Sequence, residues 1–313
     1  MQIPHSLSSF RNRLCSQLNN SFLIVALTVL GSPHVARAGE AVAVHQQSTA
    51  TLSDLTLSNF WSEGWSESWS KRHREGTPDM SLLRVQTNFL VQLFRVDSFL
   101  ETGVESAKVS EIHYVNGIVE YAFNRRFMMA LFSNYEDHKS RVGPDEDGVG
   151  GGMFGRFQLY DLEHDSLALT LKAVLPDRDL GEHQTTFSYT LSGWHDLNDF
   201  GLRKMGLYYH LQHEILAGPR AAGAKMNDLT YALSVAKTWT DPGPLIGNFT
   251  TFVEGFAKTD IDGHHSGKTV VSLTPGMRVN LWQTQILMVG VDIPLTGPKP
   301  YDGIFRLTYI ANF

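Results

Sequence analysis

From Ser81 onward the apolar residues of this chain recur at every second position, and the helical period is weak. Leu167, Leu169, Leu171, Ala173 and Leu175 alternate with Thr170 and Lys172, and Leu229, Tyr231, Leu233 and Val235 alternate with Thr230 and Ser234. Val271, Leu273, Met277, Val279 and Leu281 oppose Ser272, Thr274, Arg278 and Asn280, while Leu287, Val289, Val291 and Ile293 oppose Asp292. Successive side chains of a strand point to opposite faces, so each segment reads as a strand with one apolar and one polar side. Gly, Pro, Asp and Asn clusters divide the pattern into twelve strands. They fall at about 82–98, 109–124, 126–137, 151–162, 166–176, 184–196, 202–216, 228–240, 246–259, 268–282, 285–297 and 303–313. The last of them sets Phe305, Leu307, Tyr309, Ala311 and Phe313 on one face and Ile304, Arg306, Thr308, Ile310 and Asn312 on the other.

Two all-β architectures could absorb this pattern: a soluble sandwich that buries the apolar face in a core, or a transmembrane barrel that turns it to lipid. Three features select the barrel. The strand count is even, as in most single-chain bacterial barrels. Short connections such as Phe123–Phe127, Asp161–Ser166 and Trp282–Gln285 alternate with the long polar stretches Tyr135–Gly152, Ala217–Asp228 and Lys258–Lys268. Short periplasmic turns and longer outer loops produce that alternation. Tyr135, Trp194, Trp239, Trp282, Tyr301 and Phe313 stand near strand ends, where an interfacial girdle requires aromatics. The expected fold is thus a single all-β, antiparallel, up-and-down transmembrane barrel of about twelve strands over residues 80–313. In such a barrel the terminal strand cannot fray, because an open edge in hydrocarbon leaves backbone groups unbonded. Phe305, Leu307, Tyr309 and Phe313 also resemble the C-terminal signal by which bacterial outer-membrane proteins are recognised for insertion.

Composition alone would pass for a soluble protein: 313 residues, 42% hydrophobic, 19% charged, formal charge −6. It excludes a large basic footprint for nucleic acid. No apolar run reaches the length of a membrane-spanning helix. The longest, Phe22–Gly31, follows Arg11 and Arg13 and precedes the small-residue site Ala36-Arg37-Ala38, which together read as a secretory signal peptide over residues 1–38. Cys15, the single cysteine, lies within it, so the exported chain would carry no disulfide. Between leader and barrel, residues 39–79 include Trp61, Trp65 and Trp69 at four-residue intervals. That spacing would align the indoles on a helix, but the intervening Gly and Ser are poor helix formers. The stretch reads either as an irregular segment docked through its tryptophans or as a periplasmic or plugging element.

The polar faces supply the candidate lumen lining: Glu120, Arg156, Lys172, His210, Glu214, Glu254, Arg278, Asp292 and Arg306, with Asn116, Gln158, Gln212, Lys258 and Asn280. Both signs are present, so strong ion selectivity is not indicated. Twelve strands fall between filled eight-strand barrels and aqueous sixteen-strand ones. The expectation is a narrow, partly occluded lumen that passes small solutes; the alternative is a structural barrel whose opposite charges pair in a filled interior. A third reading, an outer-membrane lipid hydrolase using Ser266, His264 or His265 and Asn280, meets a Gly-flanked loop and lacks a lipid-facing serine. Asp260–His265 and Asp145–Gly148 gather oxygen and imidazole ligands without the spacing of a calcium or zinc motif, and no metal or other cofactor is expected. Gly148–Gly155 lacks the lysine of a phosphate loop and reads as a flexible entry to a strand.

Leu287–Phe313, with Gly155–Asp177, resembles the outer-membrane transporter family of the phenol-degradation MetA type, in which a late strand ends in a Pro-x-x-Gly/Pro loop before a final Phe-terminated strand. The resemblance covers roughly residues 80–313 and implies passage of small organic solutes, hydrophobic or aromatic ones among them. It supplies no catalytic residue. The partners expected are outer-membrane lipid, the barrel-assembly machinery and a small organic solute, with no nucleic acid, and the expected location is the outer membrane.

Overall fold

In the computed structural model the chain is described over residues 52–70, 72, 80–104, 106, 108–176, 180, 184–218, 226–264, 266–282, 284–296 and 299–313. The leader and its cleavage site, Cys15, His265 and most of 71–79 lie outside the described residues. Twelve strands follow one another: β1 (Leu93–Thr102), β2 (Val109–Ala122), β3 (Phe127–Ser140), β4 (Glu146–Asp161), β5 (Asp165–Leu175), β6 (Thr185–Asp196), β7 (Met205–Ala217), β8 (Asn227–Thr238), β9 (Ile246–Asp260), β10 (Thr269–Leu281), β11 (Gln285–Pro294) and β12 (Gly303–Asn312). Each pairs antiparallel with its sequence neighbour, and β12 closes on β1, from Leu93 opposite Asn312 to Thr102 opposite Gly303. Closure satisfies the backbone groups that an edge would leave bare. Phe313 is tied down by its own N–H, which donates to the Gln92 carbonyl.

Around most of the wall the face choice is the reverse of a soluble fold; along the β1–β12 seam the outward Val96, Leu307 and Tyr309 are buried as well. Leu131, Leu171, Leu191, Leu211, Leu233 and Val253 point outward and are all more than a third exposed, forming an apolar band around the wall. Their chain neighbours point inward and are buried: Thr170, Thr190, Ser192, Thr230, Ser234 and Glu254 are each no more than 4% exposed. A soluble monomer does not show water a continuous apolar belt of this size, and a barrel shows it to lipid.

Connections 123–126, 162–164, 197–204, 239–245 and 282–284 share one end with Leu93 and Asn312 (the turn end), and the others share the opposite, loop end. The length alternation is weaker than the sequence predicted. Most of Tyr135–Gly152 is strand, because β3 and β4 continue as a paired ribbon to Ser140 and Glu146. The glycine run is therefore β4 itself. A Cβ at Gly152 would lie 2.6 Å from the Phe132 ring and 2.1 Å from the Ala173 carbonyl oxygen, so only glycine leaves that ring its place. At the turn end, 197–204 holds a short 3-10 turn, Leu197–Phe200, capped by Asp196.

Two aromatics assigned to the girdle are buried elsewhere. Trp194 points into the barrel, in register with Ser166, and is fully buried, while Tyr301 is buried within the β11–β12 connection. Trp239, Trp282 and Phe313 are exposed near strand ends, and so are Phe123 and Phe200, which sequence reasoning had not singled out; Tyr135 is exposed in the middle of β3.

Candidate functional site

The largest departure from the sequence reading is at the start of the barrel. Residues 82–92, which the alternation placed in the first strand, form no strand; β1 begins at Leu93. Met80–Gln92 instead enters the lumen from the turn end, and its partners include inward side chains of seven strands, β4 to β7 and β9 to β11. The deepest contact is with Glu254 on β9, whose carboxylate accepts three consecutive backbone N–H groups: Leu83 at 3.0 Å, Arg84 at 2.9 Å and Val85 at 2.7 Å. Charge-assisted bonds of this kind are about twice as strong as neutral ones. Arg84 donates to Asp292 on β11 at 2.6 Å and to Ser272 on β10 at 3.2 Å, and its guanidinium lies 3.5 Å above the Phe256 ring. Gln86 N–H donates to Nδ1 of His210 on β7 at 2.9 Å. The chain then descends: Ser192 on β6 donates to the Thr87 carbonyl, Asn88 bonds Ser166 on β5, and Arg156 on β4 donates to the Phe89 carbonyl at 2.9 Å. A Cβ at Gly290 would fall 2.4 Å from Leu83 Cδ1, so the glycine makes room for the segment to seat.

Apolar side chains complete the plug. Met80, Leu82, Leu83, Val85, Leu90 and Val91 join one buried cluster with inward Met128, Phe132, Phe154, Tyr208, Phe252 and Met288. The lower lumen is thus a packed core rather than a water column. Its charges pair: Asp292 also receives Arg306 at 2.7 and 2.8 Å and Thr274 at 2.6 Å, Arg156 stands 3.4 Å from Glu120, and Arg95 binds Asp97 at 2.8 Å.

Toward the loop end the inner wall opens. Inward positions pass from buried to half-exposed along each strand: Asn134 to Glu136 and His138 on β3, Thr170 to Lys172 on β5, His210 to Gln212 and Glu214 on β7, Glu254 to Phe256 and Lys258 on β9. Lys258 bridges Asp228 at 3.0 Å and Glu214 at 3.7 Å, and Lys172 Nζ sits 4.7 Å from the Phe132 ring centre. The structure therefore places Glu120, Arg156, His210, Glu254, Arg278, Asp292 and Arg306 around or beneath the plug, and Lys172 and Glu214 in the vestibule above it. Of the C-terminal residues, Phe305, Leu307 and Tyr309 occupy the outward register of β12, Leu307 and Tyr309 buried there, and Phe313 follows the strand at its turn end.

Below the plug, the described part of the Trp-rich stretch docks at the turn end. Fully buried Arg126 holds it, donating to the carbonyls of Glu63, Thr56, Gln158 and Leu159 and to Asn59 Oδ1 at 2.7–3.1 Å. Arg125 donates to Glu67 at 2.6 Å, and that bond holds the Glu67 carboxyl below its ordinary value. The three indoles share no helical face. Trp65 packs against Phe60, Trp69 Nε1 donates to the Leu90 carbonyl at 3.2 Å under the plug, and Trp61 is 87% exposed.

The other candidate chemistries are not assembled. Ser266 is in the loop-end connection 261–268, its hydroxyl bonded to the Ile261 carbonyl at 2.8 Å, whereas Asn280 is near the turn end of β10. The extended run of β10 from Thr269 to Asn280 alone spans roughly 36 Å, so no hydrolase triad forms. Asp145 accepts Ser140 N–H, and Asp262 accepts Met226 and Asn227 N–H, as carboxylates that cap loops.

No protein-family model and no curated sequence matches the chain. Among solved structures, an outer membrane channel from Pseudomonas putida F1 superposes with a TM-score of 0.52 at 14% identity, over 73% of this chain and 97% of that one. The beta domain of the Bordetella autotransporter BrkA (TM-score 0.49, 11% identity, 71% and 98%) and LpxR from Salmonella typhimurium (0.40, 9%, 71% and 100%) are more distant. At these identities the likeness is one of fold: the chain is a closed twelve-stranded antiparallel β-barrel, the architecture of that outer membrane channel.

Proposed function

We propose that the protein is an outer-membrane barrel that admits small organic solutes, hydrophobic or aromatic ones among them, to its vestibule and passes them when the Met80–Gln92 plug shifts. In this reading it is exported by its leader, its Phe-terminated strand is recognised by the barrel-assembly machinery, and it is not an enzyme. The resemblance to phenol-degradation transporters belongs to the same reading. The observation that carries it is the gradient along the inner wall: a mixed-charge vestibule open at the loop end stands over a separate chain segment, and the deepest polar hold on that segment is one carboxylate. A wall strand cannot move without opening the barrel, but an inserted segment can leave its seat with every wall hydrogen bond intact.

The apolar contacts of Leu82, Leu83 and Val85 favour a second reading, a permanently filled structural barrel. Planar-bilayer recording and solute uptake into vesicles separate the two. Discrete openings, or uptake of small aromatics above that of empty vesicles, are expected. A silent wild-type barrel that stays silent after deletion of residues 80–91 would leave only the structural reading.

A further inference from the structure

Among the described residues, the arginines whose side chains enter the lumen beside the plug have carboxylates, with one exception. Arg84 and Arg306 share Asp292, Arg95 has Asp97 and Arg156 has Glu120. The exception is Arg278 on β10, in register with inward Met288 and Thr250 and only 6% exposed. Its Nε is buried with no acceptor, and among the described residues no carboxylate lies within ion-pair distance. A lone buried guanidinium is costly, because the water it gave up has not been replaced.

That side chain lines a pocket of about 240 Å³ at the turn end of the lumen, below the plug. Trp69, Phe89, Val91, Ile286, Ile310 and Phe313 form its apolar walls; Ser81, Gln92, Thr284 and Asn312 add polar atoms; no lining residue is acidic. A cavity of about 150 Å³ lined by apolar side chains is large enough for benzene. This one has room for a ring together with a charged substituent. A guanidinium presents two parallel donors that fit a carboxylate in bidentate fashion.

We infer that Arg278 and its pocket form a binding site for a small organic anion, a carboxylate on an aromatic or apolar body. Its walls provide the apolar contact that a ring seeks, and the bound anion supplies the countercharge that the guanidinium otherwise lacks. The site stands apart from the pore reading: a barrel that never conducts could hold the anion, and a conducting one could lack it.

Calorimetric titration of the purified full-length barrel in detergent with benzoate, and with its neutral isostere benzamide, tests the inference. Benzoate is expected to bind at least tenfold more tightly than benzamide. Arg278→Met should abolish the preference, Arg278→Lys should restore part of it, and added salt should weaken benzoate alone. The wild-type comparison does not depend on a variant folding, and an unboiled gel checks that each variant remains a barrel. Equal affinity for the two probes, binding of neither, or a preference that survives Arg278→Met would each overturn the assignment.

Discussion

Replacing Glu254 by alanine tests the seat of the plug. The wild-type carboxylate takes the N–H groups of Leu83, Arg84 and Val85 at 2.7–3.0 Å in a site with no exposure to solvent. Removal leaves three donors without an acceptor, at about 1–3 kcal/mol each when they stay buried. Water entering the space left by the side chain recovers part of that, so the plug should be held roughly 3–6 kcal/mol less firmly. At 1.4 kcal/mol per decade, the unseated population rises about a hundredfold to ten-thousandfold. None of these bonds belongs to the wall, so the variant should still run as a folded barrel on an unboiled gel. The assays are open probability in planar bilayers and the rate at which a cysteine at Leu83 reacts with a thiol reagent from the turn end. Glu254→Gln, which keeps one oxygen, should fall between the two. Conductance and labelling unchanged in Glu254→Ala, with the barrel folded, would refute the idea that this carboxylate latches the plug.

Three further outcomes follow from neighbouring contacts. Arg84→Met should loosen the plug by about 1–3 kcal/mol, less than Glu254→Ala, because Asp292 keeps Arg306 and Thr274; open probability and thiol labelling report it. Arg126→Ala removes the donor to five acceptors and should free residues 53–69 from the turn end, exposing Trp61 and Trp65 to protease while the barrel stays resistant. The Glu67–Arg125 pair makes that docking pH-dependent. The carboxyl's value is depressed in the folded protein, so its contribution is complete above the ordinary carboxylate range and is lost as pH falls through the depressed value. Protease sensitivity of 53–69 should rise on acidification, and Glu67→Gln should flatten the dependence.

The wall was legible because lipid and lumen impose opposite preferences on alternate residues, which is why β5, β10 and β12 could be placed to within a residue at each end. The signal fails where that contrast disappears. Glu136, Asp137, His138 and Lys139 extend β3 past the apolar band, so both faces are polar and nothing in the sequence distinguishes strand from loop. The plug failed for the opposite reason. Leu83 and Val85 alternate with polar residues as a wall strand would, yet their apolar sides meet Met128, Phe252 and Met288 inside the barrel rather than lipid outside. Alternation reports that two environments differ, not which one is lipid. Trp194 was misassigned to the girdle on the same ambiguity. The lumen residues could be drawn from the polar faces, but their partners could not. That Asp292 has two arginines and Arg278 no carboxylate depends on the register between neighbouring strands and on where the plug seats, and no pattern along a single strand encodes it.

The central claim is that the apolar faces meet acyl chains while the polar faces enclose the plug and vestibule. Nitroxide labels at outward Leu233 and inward Ser234, neighbours on β8, test it in lipid vesicles by their relative collision rates with oxygen and with a water-soluble nickel chelate. Leu233 is predicted to favour oxygen strongly, as a lipid-facing site does, and Ser234 to be shielded from both. A reversed pattern, or two labels equally open to the nickel reagent, would contradict the account.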